Sequence, residues 1–382
     1  MAFKKGLILF IAIIITLLAF RFFQCKQENT IVINYTLNYE ADSWHKNKTG
    51  LLWALSYLGA ELPKTSFENS IKWIDTTTFK LSFDKLGFNS KALSAIQQLT
   101  DSIKQTEQYQ KNGHIDLAQF VVLTIGSSWH YYAITGFPKN YQTYLDEHNF
   151  KNAKKFPITN SSVSKHHRLI KFMMSDSILK SVFIADEGIG NLKDGNFEVQ
   201  FHEVMDVMPN GQLRFAIYNA QNNLVANSPK RFGEAGKPAK CIWCHEIVFQ
   251  PLFVETDSLS GEINPREFQN IIEKQNYALK AYREKLKSDI DFSKTQDHSL
   301  MELLYISYME PSIKKLAKEW NMEEARIKLL FKNEMAHQHH EFDFLTNIYF
   351  RTNIEKHSPY KFIQVSEDVR EPSSYEPNFI TE

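Results

Sequence analysis

The chain has 382 residues, 43% of them hydrophobic and 23% charged, which is enough to bury a sizeable core and to build two or three domains. Lysine plus arginine (44) balance aspartate plus glutamate (44), so no global field draws the chain to nucleic acid, and no nucleic-acid partner is expected. Three cysteines are too few for a disulfide scaffold or a four-cysteine zinc ribbon.

Residues 1–25 read as an export segment. Lys4 and Lys5 precede an apolar run from Gly6 to Phe20, and Arg21 interrupts before Phe22 and Phe23. A basic flank ahead of a hydrophobic run is common to export signals and single-span anchors. The run is short for a span of ~20 residues, and a snorkelling Arg21 with the two phenylalanines extends it. No small-x-small cleavage site follows, and Cys25 is preceded by Phe22, Phe23 and Gln24 rather than by the small residues of a lipoprotein signal. The expectation is an uncleaved membrane anchor, with a cleaved periplasmic form and a lipidated Cys25 as alternatives. In each case Lys4 and Lys5 stay cytoplasmic and the bulk of the chain is exported.

Residues 26–155 read as mainly helical. Ser90 caps a helix whose apolar positions Ala92, Leu93, Ile96, Leu99 and Ile103 keep helical spacing. Asp116 caps another, Leu117 to Ile125, which is apolar nearly all round and therefore buried. His130 sits among aromatic residues, where a hydrogen-bonded core histidine is the ordinary outcome and a haem ligand the rarer one.

The pattern changes over 156–255, a β-rich region. Leu169 to Met174 and Ser181 to Ala185 read as strands, and Phe197, Val199 and Phe201 alternate with Glu198, Gln200 and His202. Pro209-Asn210-Gly211 is a turn signal, Leu213 to Tyr218 is the returning strand, and Leu224 to Ala226 a further one. This antiparallel meander leads through the basic loop 229–240 into Cys241-Ile242-Trp243-Cys244-His245.

Two thiols separated by two residues and followed by histidine match the c-type haem attachment pattern. Each sulfur adds to one vinyl group, and His245 gives the iron an axial imidazole. The stretch therefore resembles c-type cytochromes, which implies one covalent haem c on Cys241 and Cys244 with His245 as proximal ligand, and electron transfer to a membrane or periplasmic redox partner. A redox dithiol remains an alternative, although such a motif opens a helix after a strand and this one follows a loop. So does a zinc site made with one distant histidine. A CxxCH placed after an antiparallel meander also resembles the cytochrome P460 and β-type cytochrome c′ families. That resemblance implies a five-coordinate haem that binds or oxidises nitric oxide, hydroxylamine or peroxide. P460 enzymes crosslink a lysine to the porphyrin, and Lys171, Lys180 and Lys193 lie in the corresponding part of the chain; those families end soon after the motif, whereas this chain runs on to residue 382.

Haem carries two propionates, and Lys230, Arg231, Lys237 and Lys240 are close in sequence to its point of attachment. Arg231 is the preferred partner because a planar guanidinium grips a carboxylate with two hydrogen bonds; a solvated loop is the competing reading. Candidates for the sixth iron ligand are Met205, Met208 and His202 on the meander and Met301, Met309 and Met322 beyond it. No catalytic acid or base stands out.

Residues 256–382 return to helix. Asn264-Pro265 starts one helix, Leu300 to Met309 forms another, and Ile313 to Leu330 has a helix-turn-helix pattern that in an exported segment reads as a helical hairpin. His337, His339 and His340 cluster beside Glu334 and Glu341; on a helix His337 and Glu341 share a face, which suits either a metal or a solvated polar surface. The polar tail 371–382 is expected to wrap the surface or to be disordered. The fold class expected from these elements is α+β.

Overall fold

The computed structural model describes residues 28–361 apart from 162–163, 165, 176, 230, 233–235, 252 and 256–261, together with 376–380. The fold is α+β. Residues 1–25, expected to form an export segment, and Lys230 lie outside the described residues. Among those described, no helix is long and apolar enough to cross a membrane.

The first part is less purely helical than its sequence suggests. Strands β1 (Thr30–Asn34), β2 (Ile71–Trp73), β3 (Thr78–Ser82) and β4 (Ile115–Asp116) form a sheet in the order β2-β3-β1-β4. Ile31, Ile33, Phe79 and Leu81 turn inward at period two, but across five-residue strands rich in polar residues. Helices α1 (Trp44–Tyr57), α2 (Ser90–Lys104) and α3 (Leu117–Val121) pack against this sheet, and α4 (Ser128–Thr135) and α5 (Tyr141–Glu147) lead on to the second sheet. The cap of α2 is Asn89, one residue before the expected Ser90, with its side chain 2.9 Å from the Ala92 amide. Asp116 caps α3 as expected, accepting from the Ala118 and Gln119 amides, and Lys315 neutralises it at 2.7 Å.

Strands β5 (Lys154–Ile158), β7 (Arg168–Met173), β8 (Val182–Ile189), β9 (Glu198–Val207) and β10 (Leu213–Asn219) make an antiparallel sheet in the order β10-β9-β8-β7-β5, while β6 (Asn160–Ser161) pairs with β11 (Phe253–Glu255). The meander is therefore present, with β5 added at its edge. Leu224 makes only an isolated bridge to Tyr218, so the expected strand at 224–226 is absent. The β8–β9 register shifts at Glu187/Gly188, where a Cβ on Gly188 would lie 2.1 Å from the Glu198 carbonyl oxygen. Only glycine fits that bulge.

Helix α6 (Pro238–His245) carries the Cys241–His245 motif, and α7 (Pro265–Arg283) lies across the same sheet face. Asn264 caps α7 at 2.9 Å from the Glu267 amide and Pro265 takes the first turn, as the sequence predicts. Phe268 of α7 stacks on Phe156 with centroids 4.2 Å apart, and burial of such a ring contributes about 1.5–3 kcal/mol. Helix α8 (Ser299–Met309) inserts against α1 and α3, so one hydrophobic cluster runs from Ile31 to Ile380 across all three sequence regions. Helices α9 (Ile313–Glu319) and α10 (Glu324–Leu330) form the expected hairpin over a small core of Leu316, Trp320, Ile327, Phe331 and Ile354. His337 and Glu341 lie in a loop rather than on a shared helical face.

Candidate functional site

Helical geometry sorts the motif into two faces. At 3.6 residues per turn, Cys241, Cys244 and His245 fall within about 100° of one another and Trp243 points the opposite way. All three line a cleft between α6, α7 and the inner face of the second sheet, with about 860 Å³ of atom-free space when the open solvent at its mouth is included. The opposite wall is apolar and aromatic, with Ile170, Phe183, Val204, Met205 and Phe215 from the strands and Phe249 and Phe268 beyond. The Phe215 and His245 rings lie 5.5 Å apart. Most of the lining suits a flat apolar group, with few polar atoms to fix its orientation.

Electrostatics separate the readings of the motif. Burial pushes the Cys241 thiol well above its ordinary pKa, with the Glu203 charge acting in the same direction. A dithiol catalyst needs a depressed pKa and a stable thiolate, so this environment opposes the redox-motif alternative. Burial lowers His245 to about 4, against a hydrogen bond with the Val248 backbone, so the imidazole is neutral at pH 7. Its Nδ1 is buried with no hydrogen-bond partner among the described residues. A neutral imidazole beside two thiols on one cavity wall is the donor set that covalent haem requires, and the residues fit the group.

Across the cavity sits a charged cluster that the sequence reading missed. Arg168 pairs closely with Glu187, and its guanidinium nitrogen lies 3.3 Å from Glu203 Oε2. Burial raises the Glu203 pKa, with Arg168 opposing, and Glu203 Oε1 has no hydrogen-bond partner among the described residues. The signal was in the period: Phe201, Glu203 and Met205 share one face of β9, as do Arg168, Ile170 and Phe172 on β7.

Of the six candidate sixth ligands, Met205 alone lines this cavity among the described residues. His202 lies on the other sheet face, 2.7 Å from Asp186 and stacked on Tyr141. Met208 and Met301 are core residues, Met309 borders a different cavity, and Met322 packs against the hairpin. Lys171 also belongs to the far face, 2.8 Å from Asp186, while Lys180 and Lys193 are exposed. His130 is a core histidine, with Nδ1 2.5 Å from the Leu123 carbonyl oxygen and Nε2 accepting from the Phe379 amide at 2.8 Å.

The basic loop is divided. Arg231 is exposed, with its guanidinium 4.7 Å from the ring centroid of Phe232, and it does not line the cavity. Lys237 is fully buried in an ion pair with Glu376 at the start of α6. No group of three or more His, Cys, Asp or Glu side chains suited to a metal ion occurs among the described residues. No protein family, no curated protein and no solved structure was found to match this chain.

Proposed function

We propose that this chain is an exported c-type haem protein, anchored by its N-terminal segment, in which Cys241 and Cys244 carry one haem c and His245 is the proximal ligand. The observation that carries this reading is the placement of both thiols and a neutral, half-buried imidazole on one wall of an aromatic cavity. The bound group would supply a one-electron couple at iron. The chain's own contribution is to fix the porphyrin edge, hold His245 as a neutral donor and exclude water with Phe183, Phe215, Phe249 and Phe268.

Electron transfer to a membrane or periplasmic partner is the primary reading, and Met205 on the facing strand supports it as the sixth ligand. The Arg168–Glu203 pair favours a second reading, an open sixth position that binds or oxidises a small ligand such as nitric oxide, hydroxylamine or peroxide. There Arg168 would orient the ligand and Glu203, whose pKa burial raises, would exchange a proton with it. The late CxxCH after an antiparallel sheet keeps the likeness to cytochrome P460 and β-type cytochrome c′ within this reading.

Optical spectra of the purified full chain decide between the two. The primary reading predicts a low-spin spectrum unmoved by carbon monoxide, becoming high-spin and gas-sensitive in Met205→Ala. A high-spin wild-type spectrum that shifts with carbon monoxide, and is unchanged in kind by Met205→Ala, assigns the second. A pyridine haemochrome assay that finds no haem on the chain removes both.

A further inference from the structure

A second cavity lies on the other side of α6, with about 1060 Å³ of atom-free space when the open solvent at its mouth is included. Trp243, turned away from the cysteine face, forms part of its wall together with Tyr305, Glu310, His337 and Phe350. The Trp243 and Tyr305 rings meet edge to face at 5.3 Å, and His337 stacks on Phe350 at 3.9 Å.

Glu310 supplies the charge. Its side chain is only 14% exposed; Oε2 lies 2.7 Å from His337 Nε2 and Oε1 lies 3.9 Å from His339 Nε2. No lysine or arginine pairs with it among the described residues. Arg351 also lines the cavity, but Glu319 holds its two terminal nitrogens at 2.8 Å each and the Tyr308 carbonyl oxygen holds Nε at 2.6 Å. The carboxylate is thus largely withdrawn from water, with His337 as its hydrogen-bonding partner and no described lysine or arginine paired to it, an arrangement that favours a cationic guest.

His339 argues against a metal ion as that guest, and no group of three or more His, Cys, Asp or Glu side chains suited to a metal occurs here among the described residues. His339 Nδ1 accepts from the amides of Glu341 at 3.1 Å and Phe342 at 3.2 Å. These contacts assign the ring proton to Nε2, so the neutral imidazole has no lone pair left to ligate. The remaining wall is aromatic, and the rings of Trp, Tyr and Phe attract organic cations through their electron-rich faces. We propose that this cavity binds a small organic cation, an alkyl- or quaternary ammonium, with Glu310 as its counter-charge and Trp243, Tyr305 and Phe350 as its aromatic walls.

Isothermal titration of the full chain with tetramethylammonium chloride and with butylammonium chloride, each against sodium chloride at equal ionic strength, tests this. The expected result is saturable one-to-one binding of at least one ammonium salt, weakened about tenfold or more in Glu310→Gln. Phe350→Ala changes a residue that is 47% exposed and should weaken binding several-fold with an unchanged melting temperature. Equal heats for ammonium and sodium salts, wild-type affinity in both variants, or zinc chloride binding where neither ammonium does would each overturn the proposal. The assignment does not depend on haem, and the same isotherm is expected when Cys241 and Cys244 are both serine.

Discussion

At the scale of single residues, His130 shows how burial sets a charge state with a structural consequence. Burial lowers its pKa to about 4, opposed by the hydrogen bond to the Leu123 backbone. A histidine whose folded pKa lies below its unfolded value contributes stability that is full above about pH 6.5 and is lost as pH falls toward 4. Protonation also removes the Nε2 lone pair that receives the Phe379 amide, so acid should release residues 376–380. Urea titrations between pH 7 and 4.5 should show the midpoint falling, with the His130 share at most about 3 kcal/mol. The fall should be smaller in His130→Gln; an identical pH dependence in that variant would show that His130 is not the group responsible. Trp243 and Glu203 illustrate signals that the sequence carries at this scale, although neither orientation was read from it. Motif spacing on a helix directs Trp243 away from the cysteines, and strand parity directs Glu203 inward with Phe201. Arg231, by contrast, was chosen for nearness in sequence, and a loop with several glycines does not convert nearness in sequence into nearness in space.

At the scale of elements, the close approach of α1 and α8 depends on Gly50. A Cβ there would lie 2.7 Å from both the Leu300 carbonyl oxygen and Leu304 Cδ1. Gly50→Ala should therefore separate the helices and destabilise the protein by about 1–3 kcal/mol, measurable as a lowered denaturation midpoint with an unchanged helical spectrum. A midpoint equal to wild type would mean that the two helices have slack to move apart. Replacing the α7 cap, Asn264→Ala, should cost about 1 kcal/mol by the same assay, because the Glu267 amide loses its acceptor. The caps at Asp116 and Asn264 were readable because each signal is local: one polar side chain just before an apolar period. Strands β1 to β4 were not, since short alternations with threonine and asparagine resemble loop, and their pairing partners are distant in the chain. The His337–Glu341 spacing misled for a related reason: it assumes a helix, whereas His337 pairs through its backbone with Ile348 and through its ring with Glu310.

For the molecule as a whole, the sequence separates a β-rich region from its helical flanks, but the fold gives all three one core. Helix α7 covers the inner face of the second sheet through Phe268 and Ile272, and Asn210 of the β9–β10 turn donates to the Ser56 and Ala60 carbonyl oxygens at 2.7 and 2.8 Å. A fragment spanning 156–255 would expose the apolar wall of the motif cavity and should show no cooperative unfolding, while the chain from residue 28 onward should. Composition and hydrophobic period revealed the α+β class and the meander. They did not reveal the shared core, because packing of α7 and α8 onto earlier elements is set by contacts between residues about a hundred or more positions apart.

The central claim is covalent haem on the motif, and intact-mass spectrometry of chain expressed together with haem-attachment machinery tests it most directly. The account predicts a gain of one haem that survives denaturation, maps to the peptide holding Cys241 and Cys244, and disappears in the double serine variant. A chain at its bare polypeptide mass, with both thiols open to alkylation under the same expression, would contradict it.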